Sequence, residues 1–279
     1  MERLEGRVAV ITGGANGIGA ALARGLAGEG CKLVLVDVEI ERPALDAIAK
    51  ELRANGTQVM AEAADVASWD AMQALATKVQ EEFGGTQLVV ANAGVTLVGR
   101  PMAMMSMNDW NWVLGVNLFG VIHTVQAFMP QLVAANDAQV VITASGVCSF
   151  MGVGGNGPYC ASKAAVISYA ESLYRELAAA KSHIHVTALC PGAVPATLGD
   201  SEKRRPATLP DLLEVDPAPP GFREMLKKMR DDGLPPQDAA QICIDAIKTN
   251  QFYAMTHSDA ADWIKARGED AVARRNPNV

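Results

Sequence analysis

The sequence has only five cysteines, Cys31, Cys148, Cys160, Cys190 and Cys243, and no two form a CxxC pair. An odd, scattered set excludes a disulfide framework and reads as free thiols in a reducing cytosol. Histidine is scarce as well. His183, His185 and His257 lack metal-ligand spacing, and His123 sits in a mostly apolar stretch as a packing residue, so no metal is expected. There is no basic tract, and a formal net charge of −7 argues against general affinity for nucleic acid. No signal-peptide core follows the charged N-terminus, and no run of 18 uncharged apolar residues stands out as a membrane span. A cytoplasmic protein without membrane attachment is the expectation. Internal repeats and low-complexity linkers are lacking too. With 49% hydrophobic and 20% charged residues over 279 positions, the chain is too apolar for disorder and long enough for a sizeable core.

What is present is an alternation of short apolar runs and longer amphipathic segments. Strands are expected at 7–12, 32–37, 57–61, 87–91, 139–144, 184–189 and 252–255. Most are continuous Val/Ile/Leu runs, as for parallel strands covered on both faces. Helices are expected at about 17–30, 41–54, 68–83, 106–135, 157–181 and 236–249. This order implies a single α/β domain with a doubly wound parallel sheet of about seven strands. The irregular stretch 193–235, rich in proline and charge, is long for a loop and reads as a lid, with Leu209, Leu212, Leu213 and Phe222 turned toward a ligand. The tail 257–279 reads as a polar helix anchored by Trp263 and Ile264.

Thr12-Gly13-Gly14-Ala15-Asn16-Gly17-Ile18-Gly19 directly follows the first strand and opens the first helix. Glycines at 13, 17 and 19 allow a tight turn and close approach of a pyrophosphate to free N–H groups at the helix N-terminus. No Gly-Lys-Ser/Thr follows, which excludes a P-loop. Asp37 ends the second strand, 18 residues beyond Gly19, where a carboxylate hydrogen-bonds a ribose. A 2′-phosphate there would meet like charge, at about 4 kcal/mol for a pair about 4 Å apart in an effective dielectric near 20, before screening. NAD is therefore preferred over NADP. Arg42 is the one residue that could still reach a phosphate.

Tyr159 and Lys163 lie four apart on a predicted helix and share a face. An ammonium near a phenol favours the phenolate, which could exchange a proton with an alcohol near neutral pH.

Together these motifs resemble the short-chain dehydrogenase/reductase family over nearly the whole chain. TGGANGIG is similar to its TGxxxGxG turn, Asn92-Ala93-Gly94 to its NAG segment and Asp65-Val66 to its adenine-contacting pair. Asn117 falls at its helix-four asparagine, Ser145 at its active-site serine, and Tyr159/Lys163 at its YxxxK. Pro191, Gly192, Val194 and Thr197 resemble PGxVxT, which holds the nicotinamide carboxamide. Two features depart from the pattern. Ala91 replaces the first Asn of NNAG, and the 145–159 segment is one residue longer, which leaves Ser149 beside Ser145 as a candidate serine. Ser145 is chosen because it follows the strand directly.

The resemblance implies hydride transfer between NAD and a secondary alcohol or ketone. Tyr159 would carry the proton, Lys163 would lower the Tyr159 pKa and bind ribose, Ser145 would polarise the substrate oxygen, and Asn117 would hold a relaying water. It also implies a homodimer or homotetramer built on segments 106–135 and 157–181. SFMGVGGNGPY, SEKRRP and FYAMTHSD are similar to a bacterial subgroup that includes Cα-dehydrogenases of lignin-type aryl ethers, which suggests a bulky substrate. Phe150 and Met151 are the candidates for its apolar wall, ahead of the cluster Met102, Met104, Met105 and Met107. Cys160, beside Tyr159, reads as a small helix residue.

Overall fold

The computed structural model describes residues 1–213, 218 and 220–277. Seven parallel strands form one sheet in the order β3-β2-β1-β4-β5-β6-β7. They are β1 (Val8–Thr12), β2 (Lys32–Asp37), β3 (Val59–Ala63), β4 (Leu88–Ala91), β5 (Ala138–Thr143), β6 (Ile184–Cys190) and β7 (Tyr253–Met255). The order reverses at β1, which pairs with β2 on one side and β4 on the other. This switch point opens a crevice beyond the strand C-termini, where ligands bind in such sheets.

Period-two alternation sorts the side chains into two cores. Ala9, Ile11, Leu33, Leu35 and Val90 face α1 (Gly17–Gly28), α2 (Arg42–Ala54) and α8 (Pro236–Lys248), meeting Leu22, Leu45 and Ile244. Val8, Val10, Val34, Val89 and Val140 face the opposite layer. That layer comprises α3 (Trp69–Phe83), α4 (Met107–Leu114), α5 (Gly120–Ala134) and α6 (Gly157–Ala179), and it buries Met72, Phe128, Leu132 and Val166. Strands buried on both faces explain why the apolar runs were continuous.

The helix expected at 106–135 starts with a capping box. Ser106 Oγ accepts from the Asp109 N–H, and Asp109 Oδ2 accepts from the Ser106 N–H. A π-helical segment, Gly115–Phe119, interrupts it. By length and apolarity Met107–Ala134 meets the requirement for a membrane span, contrary to the sequence expectation. Here Trp112, Val125, Phe128 and Leu132 along it are buried within the protein.

Other differences are local. Strand β3 begins two residues late because Gly56, at φ +87°, turns the chain and the Thr57 N–H closes α2 on the Leu52 carbonyl. The stretch 193–235 is not structureless. It carries a 3₁₀ segment at Thr197–Arg204 and helix α7 (Phe222–Asp231). The tail forms α9 (Ala260–Ala273), with Trp263 and Ile264 each 41% exposed rather than anchoring it.

Candidate active site

One cleft opens at the C-terminal ends of β1, β2, β4, β5 and β6. Its lining includes every residue the sequence named for a dinucleotide: Gly13, Asn16, Gly17, Ile18, Gly19, Asp37, Asp65, Val66, Asn92, Ala93, Gly94, Tyr159, Lys163, Pro191, Gly192, Val194 and Thr197. Ser145 lines it too.

The glycine turn is built as its composition requires. Gly13 has φ +66°, and a Cβ there would come within 2.9 Å of the Ala93 backbone. A Cβ on Gly19 would stand 1.9 Å from the Gly13 carbonyl oxygen. Asn92 fixes the turn, with Nδ2 donating to the carbonyls of Thr12 (3.0 Å) and Gly13 (3.3 Å) and Oδ1 accepting from Thr143 Oγ1 (3.2 Å). The N-cap of α1, Asn16, makes no side-chain bond to its own helix, so the first-turn N–H groups remain available to an anion. These features fit a pyrophosphate.

Asp37 accepts from the Ala15 N–H (3.0 Å) and the Val38 N–H (2.9 Å), which orients its carboxylate at the end of β2. Burial pushes its pKa up from the ordinary carboxylate value, those two N–H bonds and Arg204 pull it down, and Glu41 adds to the rise. Arg204 is a cleft residue that sequence reasoning passed over, although it stands in the SEKRRP piece already noted as charged. Its Nε is 2.5 Å from Glu41 Oε1, and Glu41 Oε2 accepts from Asn16 Nδ2 (2.8 Å). Arg42, the earlier candidate for a phosphate, instead pairs with Asp46 on the exposed face of α2 and does not line the cleft.

At the other end of the cleft Tyr159 and Lys163 lie one turn apart on α6, with Lys163 Nζ 5.7 Å from the Tyr159 ring centroid. Lys163 is 2% exposed and donates to the Thr143 carbonyl at 2.7 Å. Burial lowers its pKa to about 8. The Ser145 hydroxyl lines the cleft with Tyr159 and pulls the phenol pKa down. Burial, joined by the neighbouring thiols Cys148 and Cys160, outweighs that pull and holds the phenol above its ordinary range. The expected lowering by Lys163 is therefore not expressed in this state, because desolvation dominates. Ser145, not Ser149, faces the cleft. Ser149 Oγ accepts from the Ser145 N–H (2.9 Å) and props it from behind.

Asn117 lies off the cleft, fully buried in the π segment. Its Oδ1 accepts from the Val95 N–H (2.8 Å), and Nδ2 donates to the Val95 carbonyl (2.9 Å) and to Ser162 Oγ (3.0 Å). Both amide donors are thus committed to structure. Phe150 and Met151 do not line the cleft either; Phe150 is partly buried against the core. Val95, Trp112, Val116, Leu198 and Pro206, which no short motif marks, give the cleft apolar lining, and Tyr159 packs against the cluster of Val95 and Trp112. Of the methionine cluster, Met105 packs against Val95 and Trp112, while Met102, Met104 and Met107 are exposed.

Segment 197–211 is clamped to the body. Arg100, 5% exposed, binds Asp211 through both nitrogens and pairs with Glu202. Arg205 lies 2.7 Å from Asp109 Oδ1, in a contact not aligned as a hydrogen bond, and its guanidinium stacks 5.2 Å over the Trp112 ring. The Thr96 N–H donates to Ser201 Oγ (3.0 Å). Leu209 packs beside Trp112 and Tyr159, Leu212 is exposed, and the Phe222 side chain lies outside the described residues.

The short chain dehydrogenase family model matches residues 7–206. A short chain dehydrogenase/reductase from Burkholderia phymatum, solved in complex with NAD, is 37% identical, with a TM-score of 0.95 covering 100% of this chain and 99% of that one. An alcohol dehydrogenase from the archaeon Thermococcus sibiricus, complexed with 5-hydroxy-NADP, is 28% identical with a TM-score of 0.72 over 90% and 96% of the two chains. The C alpha-dehydrogenase of a Sphingobium species is 28% identical over 266 residues, 95% of this chain and 85% of that protein. The sequence match, the sheet order and the cleft agree: this chain belongs to the short-chain dehydrogenase/reductase family and is an oxidoreductase.

Proposed function

We propose that this protein is an NAD-dependent dehydrogenase that oxidises a bulky, largely apolar secondary alcohol, or reduces the matching ketone. The observation that carries the reading is that Ser145, Tyr159 and Lys163 line one cleft together, with Lys163 one helix turn from Tyr159. The cofactor, when bound, supplies the hydride acceptor at nicotinamide C4. Tyr159 takes the proton of the alcohol hydroxyl. Ser145 donates to the substrate oxygen and stabilises the charge that develops there. The Lys163 ammonium offsets the desolvation of the phenolate and reaches the ribose. The backbone carbonyl of Asn117, rather than its committed side chain, would hold the relaying water. Pro191, Gly192, Val194 and Thr197 hold the nicotinamide end, and Asp37 holds the adenosine ribose.

Asp37 and Glu41 against Arg204 leave the ribose lip one charge negative, which supports NAD over NADP. Val95, Trp112, Val116, Leu198 and Leu209 favour an aryl or similarly bulky substituent over a small one. Helix α7, with Glu224, Met225, Lys227 and Lys228 exposed, is the candidate lid, since 197–211 is clamped. Five free thiols fit a reducing cytoplasm. The exposed Phe119 and Val133 on the long helix and Tyr174 on α6 support a homodimer or homotetramer; light scattering that finds only the 29.4 kDa chain would refute it.

NADH formation with a panel of aryl, steroid-like and aliphatic secondary alcohols tests the function. Turnover should be highest with bulky aryl carbinols and NAD. Uniform inactivity across the panel in both directions, with NAD bound, would overturn the reading.

A further inference from the structure

Two cysteines that the proposed chemistry leaves unused touch each other behind the catalytic pair. Cys148 follows Ser145 by three residues in the loop after β5, and Cys160 follows Tyr159 on the first turns of α6. Their sulfurs are 3.0 Å apart, and each residue is 7% exposed. Loop and site are mechanically joined, because the Cys148 N–H donates to Ser145 Oγ at 3.1 Å.

The pair is also chemically poised. The two sulfurs are within hydrogen-bond reach and share a proton, and that contact draws the Cys160 thiol below its ordinary pKa. The Val153 N–H, 3.4 Å from Cys160 Sγ, and the N-terminal end of α6 favour the same thiolate. The remaining cysteines differ. Cys31, Cys190 and Cys243 are buried, and burial pushes each up to about 12. A thiolate with a thiol at contact distance is the arrangement of a redox-sensitive dithiol.

We propose that Cys148 and Cys160 form an oxidation site for hydrogen peroxide or a similar small peroxide, and that their disulfide switches the active site off. The Cys160 thiolate attacks one peroxide oxygen. The O–O bond breaks, hydroxide leaves and a sulfenic acid forms. The Cys148 sulfur then attacks Cys160 sulfur, the S–O bond breaks, and water leaves with the Cys148 proton. Two thiols lose two electrons, and peroxide is reduced to two waters once the proton released on forming the thiolate is counted. A disulfide holds its sulfurs about 2.05 Å apart. Closing from 3.0 Å draws the Cys148 loop toward α6 by about 1 Å and pulls on the Ser145 hydroxyl. A displacement of that size at reacting groups costs on the order of a hundredfold in rate. The effect on turnover rests on the roles given above to Ser145 and Tyr159; formation of the disulfide does not.

The test treats the intact enzyme with hydrogen peroxide and maps peptides without reduction. Chymotrypsin cuts after Phe150 and Tyr159, so peptides carrying Cys148 and Cys160 separate unless bridged. The expected result is a bridged pair, two free thiols lost, turnover lowered at least tenfold and full recovery with dithiothreitol. Cys148→Ser should keep its turnover under the same treatment. Absence of the bridge in wild type overturns the site, whatever the variant does. A bridge that leaves turnover unchanged, or an equal reversible loss in Cys148→Ser, overturns the switch.

Discussion

Glu41 and Arg204 stand 163 residues apart in the chain, yet Arg204 Nε lies 2.5 Å from Glu41 Oε1. The pair joins the corner after β2 to the segment after β6, across the part of the cleft that Asp37 edges. It commits Arg204, the one arginine that lines the cleft among the described residues, to a carboxylate and leaves Asp37 to face an incoming ribose.

That arrangement sets cofactor choice. Wild type should prefer NAD to NADP by at least about a hundredfold in kcat/KM, since a few kcal/mol is two or more decades. Asp37→Ser should narrow the gap by removing the like charge. Glu41→Gln should narrow it too, by freeing Arg204 for a 2′-phosphate. Equal use of NAD and NADP by wild type would show that Asp37 does not meet the ribose.

Lys163 makes stability depend on pH in a definite direction. Burial takes its pKa from 10.5 to about 8 in the folded chain. Between those values the unfolded chain binds the proton and the folded chain does not, so stability rises as pH climbs from 8 to 10.5. The gain approaches about 3 kcal/mol at 1.36 kcal/mol per unit. Lys163→Met, which carries no proton, should lack it. Urea midpoints measured across this range should diverge between the two proteins; parallel curves would contradict the burial argument.

The clamp at Arg100 divides the segment that follows β6. Amides at 197–211, tied through Glu202, Asp211 and Arg205, should exchange slowly even without ligand. Those of α7 should exchange fast and become protected when NAD and substrate bind. Arg100→Ala should speed exchange across 197–211 and raise KM for bulky alcohols. Exchange in α7 that is unchanged by ligands would rule out its role as a lid.

Much of this was legible because the chemistry is local. The glycine turn, Asp37 and the Tyr159/Lys163 pair each sit at the end of a strand or on one helix turn, so short spacing fixes their places. The central strands were legible because burial on both faces demands unbroken apolar runs. Arg204 was not, since its partner Glu41 is brought to it only by the tertiary fold. Phe150 and Met151 lie outside the cleft lining for a related reason: nearness in sequence to Ser145 and Tyr159 says nothing about which way the intervening loop turns, and Phe150 packs against the core. Helix α7 carries apolar residues at helical spacing, 222, 225, 226 and 229, but the prolines and charges around it make the whole stretch read as a loop.

The central claim is that Tyr159 moves the alcohol proton while the rest of the site only holds and polarises. The direct measurement is NADH formation by Tyr159→Phe beside NADH binding by the same variant, with the best alcohol of the panel. The account predicts turnover below a thousandth of wild type, with NADH affinity within about threefold, because the ring remains and only the proton carrier is lost. Turnover above a tenth of wild type would contradict it.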